Sequence, residues 1–212
     1  MGEADGVTIA SAEPATSPLS LTGLRELFFA PRRFFSHGWQ LNQSTQVQLA
    51  AWIVGMAYRI DPLDYKLAAD GRAIGNLLFF WLDVLLNGMI NGFLLWYLTG
   101  WWYRKRLEWA AVPVRPDPQF VRVVNTWQNF VFAAPTVLYW VVLTIIFRND
   151  YEAQPYAAIW KVMPMLFFTL SCFTSYVAVK TAFRVSRGHA AFWFVALPLI
   201  VFAIPFVLDW LR

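Results

Sequence analysis

Three polar side chains, spaced as on one face of a helix, interrupt a long apolar stretch and are the residues best placed to do chemistry. Asp83, Asn87 and Asn91 follow one another every four residues, so a helix carries them on a single face. Ionisable groups inside a membrane segment mark ion or ligand pathways by default. Gly88 and Gly92 form a GxxxG pair beside them, which lets helices approach closely. The pattern predicts either a polar pathway or ligand site, or hydrogen-bonded helix packing.

A carboxylate buried in such a stretch requires a partner. Lys161 and Asp209 fall near the same predicted membrane surface as Asp83, and Lys161 is taken as the nearest cation. We therefore predict a contact between Asp83 and Lys161, with Asp209 close by. The alternative is that Lys161 and Asp209 each extend separately to the membrane surface. Gly100, two turns beyond Gly92, is expected to take part in helix packing.

The sequence carries few patterns typical of enzymes or metal sites. It contains no HExxH, GxSxG or Walker A motif. Its single cysteine is Cys172, and its two histidines are His37 and His189. An intramembrane enzyme would need two catalytic groups at one depth, which only Asp83 with Lys161 or Asp209 could supply. We expect no enzymatic activity, no metal and no cofactor.

The composition requires that these residues be held by a membrane-embedded bundle of helices. Hydrophobic residues make up 58% of the 212 residues and charged residues 14%, whereas soluble domains carry about 25% charged residues. Four stretches are long enough to span about 30 Å of hydrocarbon as helices. A fifth, residues 46–60, reaches only roughly 22 Å. The four longer stretches are residues 77–103, 126–147, 158–180 and 190–210.

The distribution of Arg and Lys favours five spans over four. With five spans, the N-terminal side carries 11 basic residues and the opposite side 6. With four spans the division is 9 to 8. Because cytoplasmic loops carry an excess of Lys and Arg, we predict an all-α, five-span transmembrane bundle over residues 46–212. Its N-terminus is expected in the cytoplasm and its C-terminus on the opposite side.

The region before the bundle has a different composition. Residues 1–20 are rich in small residues, Pro and Ser, which predicts a disordered cytoplasmic tail. Residues 21–45 mix apolar and Arg side chains, which is typical of an amphipathic segment in the membrane interface. Pro31 is expected to divide this segment. Five basic residues are expected to contact anionic lipid head groups: Arg32, Arg33, Arg104, Lys105 and Arg106.

Two further patterns fall inside the predicted spans. Hydroxyl side chains at 169, 171, 174 and 175 surround Cys172 and are interpreted as helix packing. Four prolines predict kinks or broken turns, whose freed carbonyl groups need other hydrogen-bond donors. These prolines are Pro135, Pro164, Pro198 and Pro205.

Short fragments in a fixed order carry a family resemblance. They are Pro31-Arg32-Arg33-Phe34, Leu98-Thr99-Gly100, Ala133-Ala134-Pro135, Ile159-Trp160 and Ala178-Val179-Lys180-Thr181-Ala182. Together with the five-span layout, these fragments make residues 20–210 resemble the Yip1 domain family of small integral membrane proteins. The resemblance is to a bacterial member of that family. The resemblance implies a cytoplasmic N-terminus. Eukaryotic members contact Rab GTPases and carry an Asp-Leu-Tyr-Gly-Pro type motif in the N-terminal tail. This tail lacks that motif, so we do not expect a Rab-type partner.

The sequence favours a non-catalytic integral membrane protein that acts as a scaffold, assembly factor or accessory subunit of a membrane complex. The alternative is a small transporter, permease subunit or lipid-handling protein that uses the polar face of the second span. Expected partners are membrane lipids and either other membrane subunits or further copies of the chain, and nucleic acid is not expected. The expected location is a bacterial inner membrane.

Overall fold

The structure, a computed structural model, describes residues 17–69, 77–146 and 157–210, and its regular elements there are helices. For residues 39, 61–69, 157–162, 164, 203 and 205–210 the description covers the backbone alone. The predicted all-α class is confirmed for these residues. The elements are α1 (Leu21–Phe29), α2 (Pro31–Ser36), a 3-10 turn (Gly38–Leu41), α3 (Ser44–Ala69), α4 (Leu77–Trp109), α5 (Pro118–Ile146), α6 (Ala157–Ala182), α7 (Arg187–Ala191), a π turn (Phe192–Ala196) and α8 (Leu197–Trp210).

Three stretches of helix are long and apolar enough to cross a membrane. They are Leu77–Trp109, Pro118–Ile146 and Met165–Ala182, and Arg187–Phe202 forms a shorter apolar helix. The protein is therefore an integral membrane protein. The short stretch 46–60 lies inside α3, a helix of 26 residues, or about 39 Å. The predicted fifth crossing would be made by this longer helix.

α5 is the central helix of the bundle. It packs against α1, α3, α4 and α6, and it buries about twice the share of its apolar window that α4 does. α4 instead turns a row of large apolar side chains outward, where they suit acyl chains. The most exposed members of this row are Leu78, Phe79, Leu86, Phe93 and Leu98.

α3 and α4 run antiparallel along their length. Ala51 packs against Gly92, Gly55 against Gly88, and the Arg59 side chain reaches Asp83. Advancing along α3 therefore means moving backward along α4. The start of α3 lies beside the end of α4, which places the N-terminal helices at the same end of the bundle as the α4–α5 connection.

The N-terminal helices pack into the bundle as well as against each other. Phe34 is 1% exposed and meets the Trp127 ring edge to face, with centroids 5.6 Å apart. The Trp127 indole N–H donates to the Leu41 carbonyl over 3.2 Å. Phe29 is 84% exposed, so part of this segment stays free for a membrane surface. The expected position of residues 21–45 in the interface stays a prediction.

The predicted break at Pro31 is confirmed. α1 ends at Phe29 and α2 begins at Pro31, where the missing N–H would have no partner in the helix anyway. Glu26 is 8% exposed and joins the two pieces. Its carboxylate lies 3.0 Å from the Arg33 Nε and 2.9 Å from the His37 Nε2.

Candidate functional site

The polar face of α4 is occupied by contacts with α3. The Arg59 Nε and Nη2 donate to the two Asp83 carboxylate oxygens over 2.7 and 3.0 Å. The Asn87 side-chain amide donates to the same carboxylate over 2.7 Å. Such a two-pronged Arg–carboxylate contact is the strongest geometry of an ion pair. Arg59 is thus a cation available to Asp83 among the described residues, and it was not singled out from the sequence. The expected contact with Lys161 stays a prediction, since that side chain lies outside the described part.

The α3–α4 crossing beside this ion pair is made by three glycines. A Cβ atom added to Gly55 would collide with the backbone of Gly88 and Gly92. Gly100 meets the Arg122 side chain of α5. Gly55 was not singled out from the sequence. It lies four residues before Arg59, so a helix places both residues on one face, and this spacing was the available signal for a packing face on α3.

Other residues of the predicted polar set fall in different places. Asn91 continues the Asp83 face by one turn and is half-buried. Lys161 and Asp209 lie at helical positions in α6 and α8, and their side chains are outside the described part. The predicted Asp83–Lys161–Asp209 grouping therefore lies outside the described side chains and stays a prediction.

The five basic residues assigned to lipid head groups separate into two environments. Arg32 and Arg33 are exposed. The Lys105 ammonium lies 2.8 Å and the Arg104 Nε 3.4 Å from the Glu108 carboxylate. Arg106 points into the bundle and is 9% exposed, so it does not lie on an exposed surface, and its contact with a lipid head group stays a prediction.

Arg106 lines a cavity of about 680 Å³ between α4, α5, α6 and the C-terminal helices. It is the one charged residue among the described residues of the lining. We call this space the Arg106 cavity. Five aromatic side chains of the lining are together called the aromatic wall: Trp102, Trp109, Phe168, Trp193 and Phe202. Six uncharged polar side chains of the lining are called the polar wall: Thr99, Asn125, Gln128, Asn129, Ser171 and Ser175. Helices α4 and α6 contribute to both sets.

The polar wall is held together by hydrogen bonds between helices. The Asn125 amide donates to the Thr99 hydroxyl over 2.7 Å, which joins α5 to α4. The Ser171 hydroxyl donates to the Gln128 carbonyl over 2.9 Å, which joins α6 to α5. The predicted packing role of the α6 hydroxyl groups fits these contacts. They also fix the positions of these polar groups in the cavity lining.

The Arg106 guanidinium is stacked between rings and has little hydrogen bonding. Its central carbon lies 5.1 Å from the Tyr103 ring centroid and 4.9 Å from that of Phe194. Among the described residues, no carboxylate lies within ion-pair distance of Arg106. Its Nε is buried and has no hydrogen-bond partner there. The spacing of Gly100, Tyr103 and Arg106 along one helix face was the sequence signal for its inward direction.

The one hydrogen bond of the guanidinium among the described residues lies at the π turn, where Pro198 leaves a carbonyl group without a donor in its own helix. The Leu197 N–H bonds to the Phe192 carbonyl, five residues back, so the next donor at this spacing would be residue 198. Residue 198 is proline and has no N–H, which leaves the Trp193 carbonyl free. The Arg106 Nη1 donates to that carbonyl over 3.3 Å. A freed carbonyl at Pro198 was predicted, but its donor was not.

Taken together, a buried guanidinium, a polar wall and an aromatic wall can hold a ligand that is polar at one end and apolar at the other. Within the described residues, no group of three or more His, Cys, Asp or Glu side chains could hold a metal. No family model, curated protein or solved structure matches the chain. The function is therefore argued from the site, and the resemblance to the Yip1 domain family stays a prediction.

Proposed function

We propose that the protein is a lipid-handling integral membrane protein that binds an amphiphilic molecule in the Arg106 cavity without chemically changing it. The observation that carries this proposal is the cavity itself, with one aromatic and one polar wall. Its volume of about 680 Å³ is within the range of about 300–1,000 Å³ that ligand pockets occupy. A lipid-handling protein was the alternative function predicted from the sequence. The proposal assigns that function to the Arg106 cavity and not to the polar face of α4.

The polar face of α4 supports this choice by exclusion. Asp83 is engaged with Arg59 of α3 and Asn87 with Asp83, and neither Asp83 nor Asn87 lines the Arg106 cavity. A pathway through that face would require breaking the ion pair at the close α3–α4 crossing. We therefore assign the Asp83 face to helix packing.

The scaffold or accessory-subunit function expected from the sequence lacks a comparable observation. The exposed apolar row of α4 contacts acyl chains as readily as it would contact another protein. A groove of about 600 Å³ lies beside it at Trp52, Phe93 and Trp96, and its described lining holds uncharged polar side chains but no charged one to indicate a protein partner.

Native mass spectrometry of the protein extracted from its own membrane in mild detergent tests the proposal. We expect the wild-type protein to retain a lipid-sized mass. Val201→Trp should abolish retention, because Val201 lines the cavity and is 57% exposed there. Ile200→Trp is the matched control, since Ile200 is also 57% exposed and lies outside the lining.

Two results would overturn the proposal. One is equal lipid retention by wild type and Val201→Trp, which would place the lipid elsewhere. The other is a reproducible mass increment from a second polypeptide with no bound lipid, which would favour the accessory-subunit function.

A further inference from the structure

We infer that the Arg106 cavity selects amphiphiles with an anionic head group, a phosphate or a carboxylate, and that Arg106 binds this group. The inference rests on the proposed function and adds the chemical class of the ligand. Its basis is the combination of a nearly buried guanidinium, unused donors and an apolar far end in one cavity.

The charge of Arg106 is the first argument. A buried cation is unfavourable unless an anion or several hydrogen bonds compensate it. Glu108, two residues away, lies against Arg104 and Lys105. The two ring faces at about 5 Å give partial compensation. An anionic ligand would supply the missing negative charge.

The hydrogen-bond donors of Arg106 are the second argument. A guanidinium presents five N–H groups in a planar fork that matches two oxygens of a carboxylate or phosphate. The described structure pairs Nη1 with the Trp193 carbonyl, and Nε has no partner among the described residues. The fork is thus fixed by the bundle, and its other terminal nitrogen, Nη2, makes no hydrogen bond among the described residues and is the donor for an oxyanion.

The arrangement of the walls is the third argument. Trp109 and Trp193 lie next to Arg106, with ring centroids 5.2 Å apart, and Trp is typical of the head-group level of a membrane. At the other end Phe168 stacks on Phe202, with centroids 4.3 Å apart. Seven residues of α4, roughly 10 Å, separate Arg106 from Thr99 on the polar wall. A head group at Arg106 thus leaves its hydrocarbon chain against the two phenylalanines.

Binding of defined amphiphiles to the purified full chain in a neutral detergent tests the inference. The probes are phosphatidylglycerol, oleate, phosphatidylcholine and inorganic phosphate, each titrated with native mass spectrometry as the readout. We expect phosphatidylglycerol, oleate or both to bind at least about tenfold more tightly than phosphatidylcholine, as expected for one charge-assisted contact. Comparison of phosphatidylglycerol with oleate tells a phosphate from a carboxylate head group. Inorganic phosphate, which has no chain, is expected to bind more weakly than the preferred lipid.

Arg106→Gln removes the charge and keeps a polar side chain with N–H donors. We expect this variant to lose the preference for the anionic lipid by about tenfold and to keep its binding of phosphatidylcholine. Arg122→Gln is the matched control, since Arg122 also lies over an aromatic ring, Tyr97, at 4.7 Å, outside the cavity lining. It should leave the preference unchanged.

The outcomes separate the two proposals. Equal binding of phosphatidylcholine and both anionic probes overturns the anionic selectivity and leaves a lipid-binding cavity. An anionic preference that survives in Arg106→Gln assigns that selectivity to another site and overturns the role of Arg106. Binding of inorganic phosphate as tight as that of the lipids overturns the amphiphile class. Absence of any amphiphile from the wild-type protein overturns the proposed function itself.

Discussion

The ion pair between Arg59 and Asp83 joins α3 to α4 at the end of their close contact. Each side chain is about 30% exposed, so the pair has access to the surroundings of the bundle. Where the bundle is surrounded by hydrocarbon, no water reaches the exposed part of the pair, and a charged side chain without its partner is energetically unfavourable there. The Asn87 amide fixes the carboxylate from the same helix, which limits its rotation away from Arg59.

We predict that Asp83→Leu and Arg59→Leu each lower the thermal unfolding temperature in detergent, because each leaves one charge unpaired. The double variant should lose less than the sum of the two, with a coupling on the order of 1 kcal/mol. The control combines Arg59→Leu with Asn91→Leu, eight residues or about 12 Å from Asp83 along α4, and should be additive. Coupling of Asp83→Leu with Lys161→Leu, and none with Arg59→Leu, would restore the partner expected from the sequence.

Around Gly55, helix α3 meets the backbone of helix α4. Gly55, Gly88 and Gly92 bring the two helices to a distance at which a single Cβ does not fit. Close approach of this kind gives dispersion contacts that replace the hydrophobic driving force, which is absent between helices in lipid. The ion pair one turn away then sets which positions face each other.

We predict that Gly55→Ala lowers the free energy of unfolding by about 1–3 kcal/mol, since the helices must separate to admit the methyl group. Gly188→Ala is the control, because a Cβ there meets no atom within 4 Å and alanine favours a helix by about 0.5–1 kcal/mol. Thermal unfolding of both variants in one detergent gives the comparison. Equal effects at the two positions would show that the α3–α4 contact is loose.

The π turn couples the C-terminal helices to α4. Pro198→Ala adds an N–H at the position from which the Trp193 carbonyl can be bonded within its own helix, so Arg106 is no longer its required donor. We predict that Arg106→Met is about 1–2 kcal/mol more unfavourable for stability in the wild-type chain than in the Pro198→Ala chain, because only the wild-type chain leaves the Trp193 carbonyl without a donor. Unfolding measurements on the four proteins test this. Equal costs in both backgrounds would remove the link between Arg106 and the π turn.

Periodicity and composition predict the helices better than they predict the site. Long apolar runs and the GxxxG pair anticipate α4 and its packing face, and Pro31 anticipates the break after α1. Arg59 was not singled out, and Arg106 was expected at lipid head groups, because each lies at the end of an apolar run next to other charged residues. The direction of such a side chain is decided by tertiary packing, here by Asp83 for Arg59 and by the rings of Tyr103 and Phe194 for Arg106. A single sequence does not encode that choice locally.

At the scale of the molecule, one end of the bundle gathers the N-terminal helices, the α4–α5 connection and the α6–α7 connection. α2 packs against α6, close to Phe173 and Thr181 beside Pro31. Together with the antiparallel α3–α4 pair, this puts α3 on a path from that end to the other. A membrane parallel to the ends of the bundle would then be crossed by α3 too, which agrees with the charge distribution.

This arrangement predicts that residues before α3 and after α4 lie on the same side of the membrane. Ser36→Cys and Val114→Cys introduce thiols at two exposed positions, in a chain whose native Cys172 is 5% exposed. With intact cells or sealed vesicles of known orientation, both thiols should react with a membrane-impermeant maleimide from the same, cytoplasmic side. The unaltered chain is the control and should stay unlabelled. If Ser36→Cys and Val114→Cys react from opposite sides, α3 does not cross and the bundle has four spans, because an even number of crossings between the two positions is required to place them together.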